Sequence, residues 1–131
     1  MNISDVAKQT GLTAKTIRFY EDKGIITAPS RASNGYRRYS QNNINELQLI
    51  RRSRLVGFTL DECRDLLDFS RDPQRRSADV KAKAEQKLTD IDDKIAELIE
   101  MKATLEALTK QCPGNDSAQC PIIEGLCKHS E

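Results

Sequence analysis

The sequence predicts a mainly α-helical chain in three parts. These are a compact helical domain with one short hairpin over residues 1–70, a long coiled-coil helix over 71–111, and a cysteine-bearing loop, short helix and tail over 112–131. Three observations predict it. Apolar residues recur at helical spacing through the first part, punctuated by Gly11, Gly24, Gly57 and an Asn34-Gly35 pair. From about Ser77 to Lys110 there is neither Pro nor Gly, and apolar residues recur in alternating steps of four and three. Aromatic residues make up 5% of the 131 and Trp is absent, so buried area has to come from Leu, Ile and Val on helices.

The first helix spans residues 3–9, with Ile3, Val6 and Ala7 on one face and Gly11 breaking it. Thr13 N-caps a second helix through about Lys23, which Gly24 closes. Two short helices across a Gly-containing turn make a helix-turn-helix. In its second helix Ile17 points inward, leaving Lys15, Arg18 and Tyr20 outside, where such a helix enters a DNA major groove. Asn34-Gly35 tolerates positive φ and favours a tight hairpin, which Arg37-Arg38-Tyr39 follows. Alone it would read as a surface turn with incidental charge. Beside a helix-turn-helix it reads as a wing, whose arginines neutralise phosphates and whose tyrosine hydroxyls bond them.

Ser40 caps a third helix, with Ile44, Leu47, Ile50 and Leu55 inward, Arg51, Arg52 and Arg54 outward, and Gly57 at its end. Thr59 and Glu62 have capping-box spacing, and Leu60, Cys63, Leu66 and Leu67 form the apolar stripe of the helix they start. Cys63 is thus a buried small hydrophobe. Asp72-Pro73 breaks this helix, and the long helix carries Ala84, Leu88, Ile91, Ile95, Leu98 and Leu105 on a seam interrupted by Lys102. One helix cannot bury its own stripe, so two chains pair, parallel or antiparallel.

Net charge is only +1, but residues 1–58 hold ten Lys/Arg against four Asp/Glu and residues 59–131 eleven against sixteen. The basic half suits a polyanion. No apolar run is long enough to span a bilayer, and MNISDVAKQT lacks the apolar stretch of a signal peptide, so the expected location is the cytoplasm. There Cys63, Cys112, Cys120 and Cys127 stay reduced, which points to metal binding or redox sensing.

In the segment from Cys112 to Cys120, Pro113-Gly114 turns the chain back, and Pro121 opens a short helix over 121–126 that places Cys120 at its N-terminus. The helix dipole there favours thiolate. Two thiolates across such a loop are a soft-metal clamp that favours Cu(I), and by extension Ag(I) or Au(I). A zinc site completed by Cys127 and His129, or a reversible Cys112–Cys120 disulfide, is the alternative. Cys127 and His129 otherwise read as a disordered tail. No CxxC pair exists and the single His lies in that tail, so an enzyme is not expected. A metal-storage protein would have no use for the winged basic half, and little chain remains after the coiled coil for a separate domain that binds organic effectors.

Ile3-Ser4-Asp5-Val6-Ala7, Gly11-Leu12-Thr13, Ile17-Arg18-Phe19-Tyr20-Glu21 and Asn34-Gly35-Tyr36-Arg37 together resemble the MerR family of transcriptional regulators. The long helix and the segment from Cys112 to Glu124 are similar to the copper-efflux branch of that family. The resemblance implies a homodimer joined by an antiparallel coiled coil on a promoter with a long spacer. Metal binding there changes dimer geometry, and the dimer bends and undertwists the DNA so that RNA polymerase engages both promoter elements. It further implies that Arg18, Tyr20, Tyr36 and Arg37 contact DNA, with Lys15, Arg31 and Arg54 as further candidates. Cys112 and Cys120 are then the Cu(I) ligands, and Ser77 falls where divalent-metal relatives carry a cysteine that reaches the loop of the partner chain. Ser77 also suits a helix N-cap. Cu(I) with two thiolates has a net charge of −1, which the dipole of the short helix and Lys81 would offset, although Lys81 also reads as a solvated lysine. Zinc or divalent-metal sensing and thiol-redox sensing are the alternative functions.

Overall fold

Four helices, one hairpin and the first turns of a fifth helix build the N-terminal unit, Met1–Lys87, of the computed structural model, which describes residues 1–115 and 118–128. The second unit is Leu88–Glu131. The elements are α1 (Ile3–Thr10), α2 (Ala14–Asp22), β1 (Ser30–Arg31), β2 (Arg37–Arg38), α3 (Gln41–Leu55), α4 (Leu60–Arg71), α5 (Ser77–Gln111) and α6 (Pro121–Lys128). As the sequence predicts, the fold is mainly α with a winged helix-turn-helix and one long helix.

The first four helices begin where a short polar side chain binds the first free amides. Asn2 with Asp5, Ser40 with Asn43 and Thr59 with Glu62 form reciprocal capping boxes, and Thr13 accepts from the Thr16 amide. Each such cap stabilises its helix by about 1 kcal/mol. Gly11 ends α1 at φ +75, a left-handed conformation that makes the tight turn into α2 cheap. The core gathers Val6 of α1, Ile17 and Tyr20 of α2, Ile44, Leu47 and Ile50 of α3, and Cys63 and Leu67 of α4, closed by Ile25, Ile26 and Tyr39. Cys63 is 1% exposed and its thiol is pushed up by burial, so it packs as a small hydrophobe.

Two expectations fail here. Tyr20 is turned into the core, because it lies three residues from Ile17 on the same helix face. Leu55 is 73% exposed and Val56 follows it out, because the last turn of α3 extends past the side chains that cover its apolar face.

The wing is a two-stranded antiparallel ladder in which Ser30 faces Arg38 and Arg31 faces Arg37. At its tip Asn34 accepts from the Tyr36 amide at 3.1 Å, and Gly35 takes φ +85. Arg31 donates across the tip to the Gly35 carbonyl at 3.0 Å. The base is anchored by Met1, whose carbonyl accepts from the Tyr39 amide at 2.8 Å.

A polar network centred on a buried carboxylate ties the segment before the wing to the end of α4. The Glu46 carboxylate, 5% exposed on α3, accepts from the Thr27 amide at 3.1 Å, from the Thr27 hydroxyl at 3.0 Å, and from the guanidinium of Arg71. Arg71 also donates to the Ile25 carbonyl at 3.0 Å, and the Asn43 amide donates to the Thr27 carbonyl at 2.7 Å.

α5 opens at Ser77, while the Arg76 carbonyl accepts from the Asp79 and Val80 amides. Ser77 is thus the first helical residue and Arg76 holds the position before it, so Ser77 is not the cap. The early turns of α5 stay with the N-terminal unit: Lys83 pairs with Asp65 at 2.8 Å and Lys87 with Glu62 at 2.8 Å. The hydrogen bond from Lys87, helped by the Thr59 amide, holds the Glu62 carboxyl down to about 2. Beyond Lys87 no residue of α5 is buried, and the predicted seam lies open, from Leu88 (61% exposed) through Ile95 (49%) and Leu98 (53%) to Leu105 (53%). In the second unit α6 lies against α5 so closely that a Cβ at Gly125 would collide with Leu108. The predicted short helix over 121–126 continues to Lys128.

Candidate nucleic-acid interface and metal site

α2 presents two faces because successive residues turn by about 100°. Ile17 and Tyr20 point in, while Lys15, Arg18 and Phe19 point out. A recess flanks the helix on each side. On one side Arg18 joins Arg31, Asn34, Tyr36 and Arg37 of the hairpin around about 610 Å³. On the other, Lys15, Thr16 and Phe19 face Arg54 across about 260 Å³. Lys15, Arg18, Arg31, Tyr36, Arg37 and Arg54 are therefore brought together around one exposed helix. Tyr36 is 75% exposed at the tip of the wing, and Arg54 is steadied by a bond to the Phe58 carbonyl at 3.3 Å. Tyr20 also lines the smaller recess, but it is only 9% exposed and its ring is packed mainly into the core beneath the helix.

Arg37 is not a freely swinging cation. Its Nε donates to Glu21 at 2.7 Å, and the Tyr39 hydroxyl donates to the other Glu21 oxygen at 2.9 Å. The bond to Glu21 raises the Arg37 pKa further, and burial, aided by the same carboxylate, pushes the Tyr39 phenol up to about 12. Glu21 thus locks the end of α2 to β2. Sequence reasoning assigned it no role, yet a signal was present. Glu21 and Asp22 end a helix whose last turn carries no basic residue. Acids there oppose the helix dipole and need a cation from elsewhere.

In the second unit Cys112 follows the end of α5, Gly114 turns the chain back at φ +64, and Cys120 accepts from the Glu124 amide as the residue preceding α6. The two sulfurs approach to 4.0 Å, both half-buried. The Cys120 thiol is shifted below its ordinary range, chiefly by the Ile123 backbone N–H and also by Cys112 and the Ile122 N–H, against partial desolvation. Two metal–thiolate bonds of about 2.3 Å laid end to end span about 4.6 Å, so the pair fits one soft ion with little movement. Among the described residues no group of three or more His, Cys, Asp and Glu is placed to hold a metal. Cys127 is exposed on α6, and His129 lies outside the described residues. Ser77 and Lys81 are exposed on the first two turns of α5, in the other unit.

Among the described residues no helix is long and apolar enough to cross a membrane. The MerR HTH family of regulatory proteins matches residues 1–70, and the MerR DNA-binding family matches residues 44–108. The chain is 54% identical to the HTH-type transcriptional regulator CueR of Salmonella typhimurium, over 98% of this chain and 96% of that one. Among solved structures it is similar to the transcription regulator PbrR691 from Ralstonia metallidurans in complex with lead(II). The TM-score is 0.85 at 30% identity, covering 96% of this chain and 98% of that chain. It is also similar to the dual-function regulator MerR of Bacillus megaterium in complex with mercury(II). There the TM-score is 0.72 at 35% identity, covering 93% of this chain and 95% of that chain. The family match over the winged helix-turn-helix, and the identity that extends over nearly the whole length, show that the chain belongs to the MerR family of helix-turn-helix transcriptional regulators.

Proposed function

We propose that this protein is a Cu(I)-responsive transcriptional activator of copper-efflux genes, cytoplasmic and homodimeric, that also answers Ag(I) and Au(I). The observation that carries the reading is the thiol pair 4.0 Å apart, one member at a helix N-terminus, in a chain whose other unit is a winged helix-turn-helix. Likeness to a relative named CueR supports it. Cys112 and Cys120 hold the ion. The site keeps a net charge of −1, which the N-terminal amides of α6 offset, together with Lys81. The exposed seam of α5 pairs antiparallel with that of a second copy, and metal binding selects a dimer geometry that distorts promoter DNA so that RNA polymerase engages both promoter elements. The reading assigns the chain no catalytic step.

Lys15, Arg18, Arg31, Tyr36, Arg37 and Arg54 form the DNA-contacting set in this proposal. Arg18→Ala and Arg37→Ala are each expected to weaken operator binding. The slope of log affinity against log salt should flatten by about 1 for each phosphate that is no longer neutralised, hence about 2 per dimer. Arg37→Ala carries the added cost of leaving the Glu21 carboxylate without its cation, bonded by Tyr39 alone of the two. An unchanged slope in both variants removes the clamp.

Metal choice follows from ligand count, because zinc prefers four ligands in a tetrahedral array whereas Cu(I) accepts two thiolates. The hydroxyl of the partner's Ser77 adds no soft anion. Competitive anaerobic titration with a transcription readout should therefore show a response to Cu(I), Ag(I) and Au(I) and none to zinc. Ser77→Cys should raise zinc or Hg(II) binding. Zinc activation of the wild type would establish the divalent reading instead, and activation by oxidant without metal the thiol-redox reading. An unaltered metal profile in Ser77→Cys would separate residue 77 from the site.

A further inference from the structure

The acids of α4 meet the lysines of α5 in two rungs. Glu62 and Asp65 stand three residues apart on one helix, Lys83 and Lys87 four apart on the other, so each like-charged pair shares a face and meets its counterpart. The rungs are unequal. Asp65 is 58% exposed, which leaves the Lys83 rung screened by water, whereas the side chains of Lys87 and Glu62 are 11% and 25% exposed. Lys87 is also the last residue of the N-terminal unit, and α5 runs on from it to Gln111 as one helix.

The stem of Lys87 passes Gly57, and its ammonium stands 5.6 Å from the centroid of the Phe58 ring. One side chain therefore holds both the turn between α3 and α4 and the capping box that starts α4. On that turn the Phe58 carbonyl accepts from Arg54 at 3.3 Å, and Arg54 faces Lys15, Thr16 and Phe19 across the smaller recess. Long helix, turn and DNA-directed cation are consecutive contacts, the kind of packed chain through which two sites are coupled. We infer that Lys87 is a positioning residue for operator binding: it pins α5 to the turn that holds Arg54, so that a movement of the long helix on metal binding alters the grip of Arg54 on a DNA phosphate. This rests on the proposed function and adds to it the residue through which the metal state reaches one DNA contact.

The test uses the full chain under anaerobic conditions. An operator duplex is selected from a random pool, and each phosphate is replaced singly by a neutral methylphosphonate. The phosphate whose replacement weakens the wild type but not Arg54→Ala is the one that Arg54 holds. In the wild type the loss at that phosphate should differ about fivefold between the Cu(I)-loaded and metal-free protein, the lower end of coupling between linked sites. Lys87→Met keeps a stem against Phe58 and leaves Glu62 bonded by the Thr59 amide at 2.8 Å. In this variant the two losses should become equal and Cu(I)-dependent transcription should drop by about the same fivefold, with the Cu(I) affinity of the DNA-free protein unchanged. Glu62→Gln, which keeps the acceptor for Thr59 and removes the charge, should repeat that result, and Lys87→Arg should restore the wild-type difference. A Lys87→Met chain that keeps the metal-dependent difference overturns the inference, as does a wild type in which no phosphate is silent in Arg54→Ala or in which that phosphate counts equally in both metal states. A loss spread evenly over all phosphates and shared by Lys87→Arg marks a contact that serves only the fold, and overturns it too. If transcription from the wild type ignores Cu(I), the proposed function falls and this inference with it; a Cu(I) response that survives Lys87→Met undiminished removes this inference alone.

Discussion

Cys112→Ser and Cys120→Ser are each expected to abolish the Cu(I) response while leaving the protein able to occupy its operator. A serine hydroxyl is a hard, neutral donor at pH 7, and the remaining sulfur alone offers half of a two-coordinate site. Loss of a ligand should exceed the 10–100-fold that removal of an outer hydrogen-bond partner costs a metal site, so affinity should fall by more than about 100-fold. Operator binding is spared because the thiols lie in the second unit and the DNA-directed cations in the first. The measurement is anaerobic Cu(I) titration against a competing chelator, with run-off transcription and operator retention from the same preparations. Copper-dependent activation by either variant would show that the pair is not the sensor.

The second large effect is expected at the seam of α5. Ile95 and Leu98 are 49% and 53% exposed in one chain, and in the proposed pair each packs against a second helix. Lysine at both positions would bury two ammonium groups without partners, so Ile95→Lys/Leu98→Lys should sediment as a folded monomer at micromolar concentration. Operator affinity should then fall by 10²–10⁴-fold, about what linkage of two half-site binders contributes. Ile99→Lys is the control: Ile99 is 63% exposed but lies outside the four-three repeat, so the dimer should survive. A double variant that still sediments as a dimer would place the contact elsewhere.

Much of the fold could be read from local chemistry. A cap acts within three residues, so Thr13, Ser40 and Thr59 declared three helix starts in the sequence, and the stretch free of Pro and Gly from Ser77 onward declared the fourth. The sulfur pair was readable too, because Pro113-Gly114 and Pro121 are turn and helix-start signals on either side of a short loop. Side-chain direction was harder to read. Tyr20 carries a hydroxyl suited to a phosphate, which argued for the outside, while its three-residue spacing from Ile17 argued for the inside; burial of the ring won. Leu55 repeats the helix-face position of Ile44 eleven residues earlier, but periodicity does not say where the covering layer ends. Arg37 read as a clamp residue and is also a partner of Glu21, a pairing across sixteen residues that no local pattern encodes.

The network centred on Glu46 has a mechanical consequence. Arg71 is the last residue of α4, and the chain turns at Asp72-Pro73 immediately before α5 begins. Its guanidinium grips both Glu46 and the Ile25 carbonyl, while Glu46 grips Thr27, two residues further along the segment that leads into the wing. The exit of α4 and the approach to the wing therefore share a single fulcrum, a carboxylate only 5% exposed and held by four donor groups. Low-dielectric surroundings make such bonds stiff and costly to break. A torque delivered to the start of α5 would reach the approach to the wing through that anchorage rather than dissipate in the loops, so a small reorientation of the long helix would be felt at the DNA backbone as a displacement of the wing.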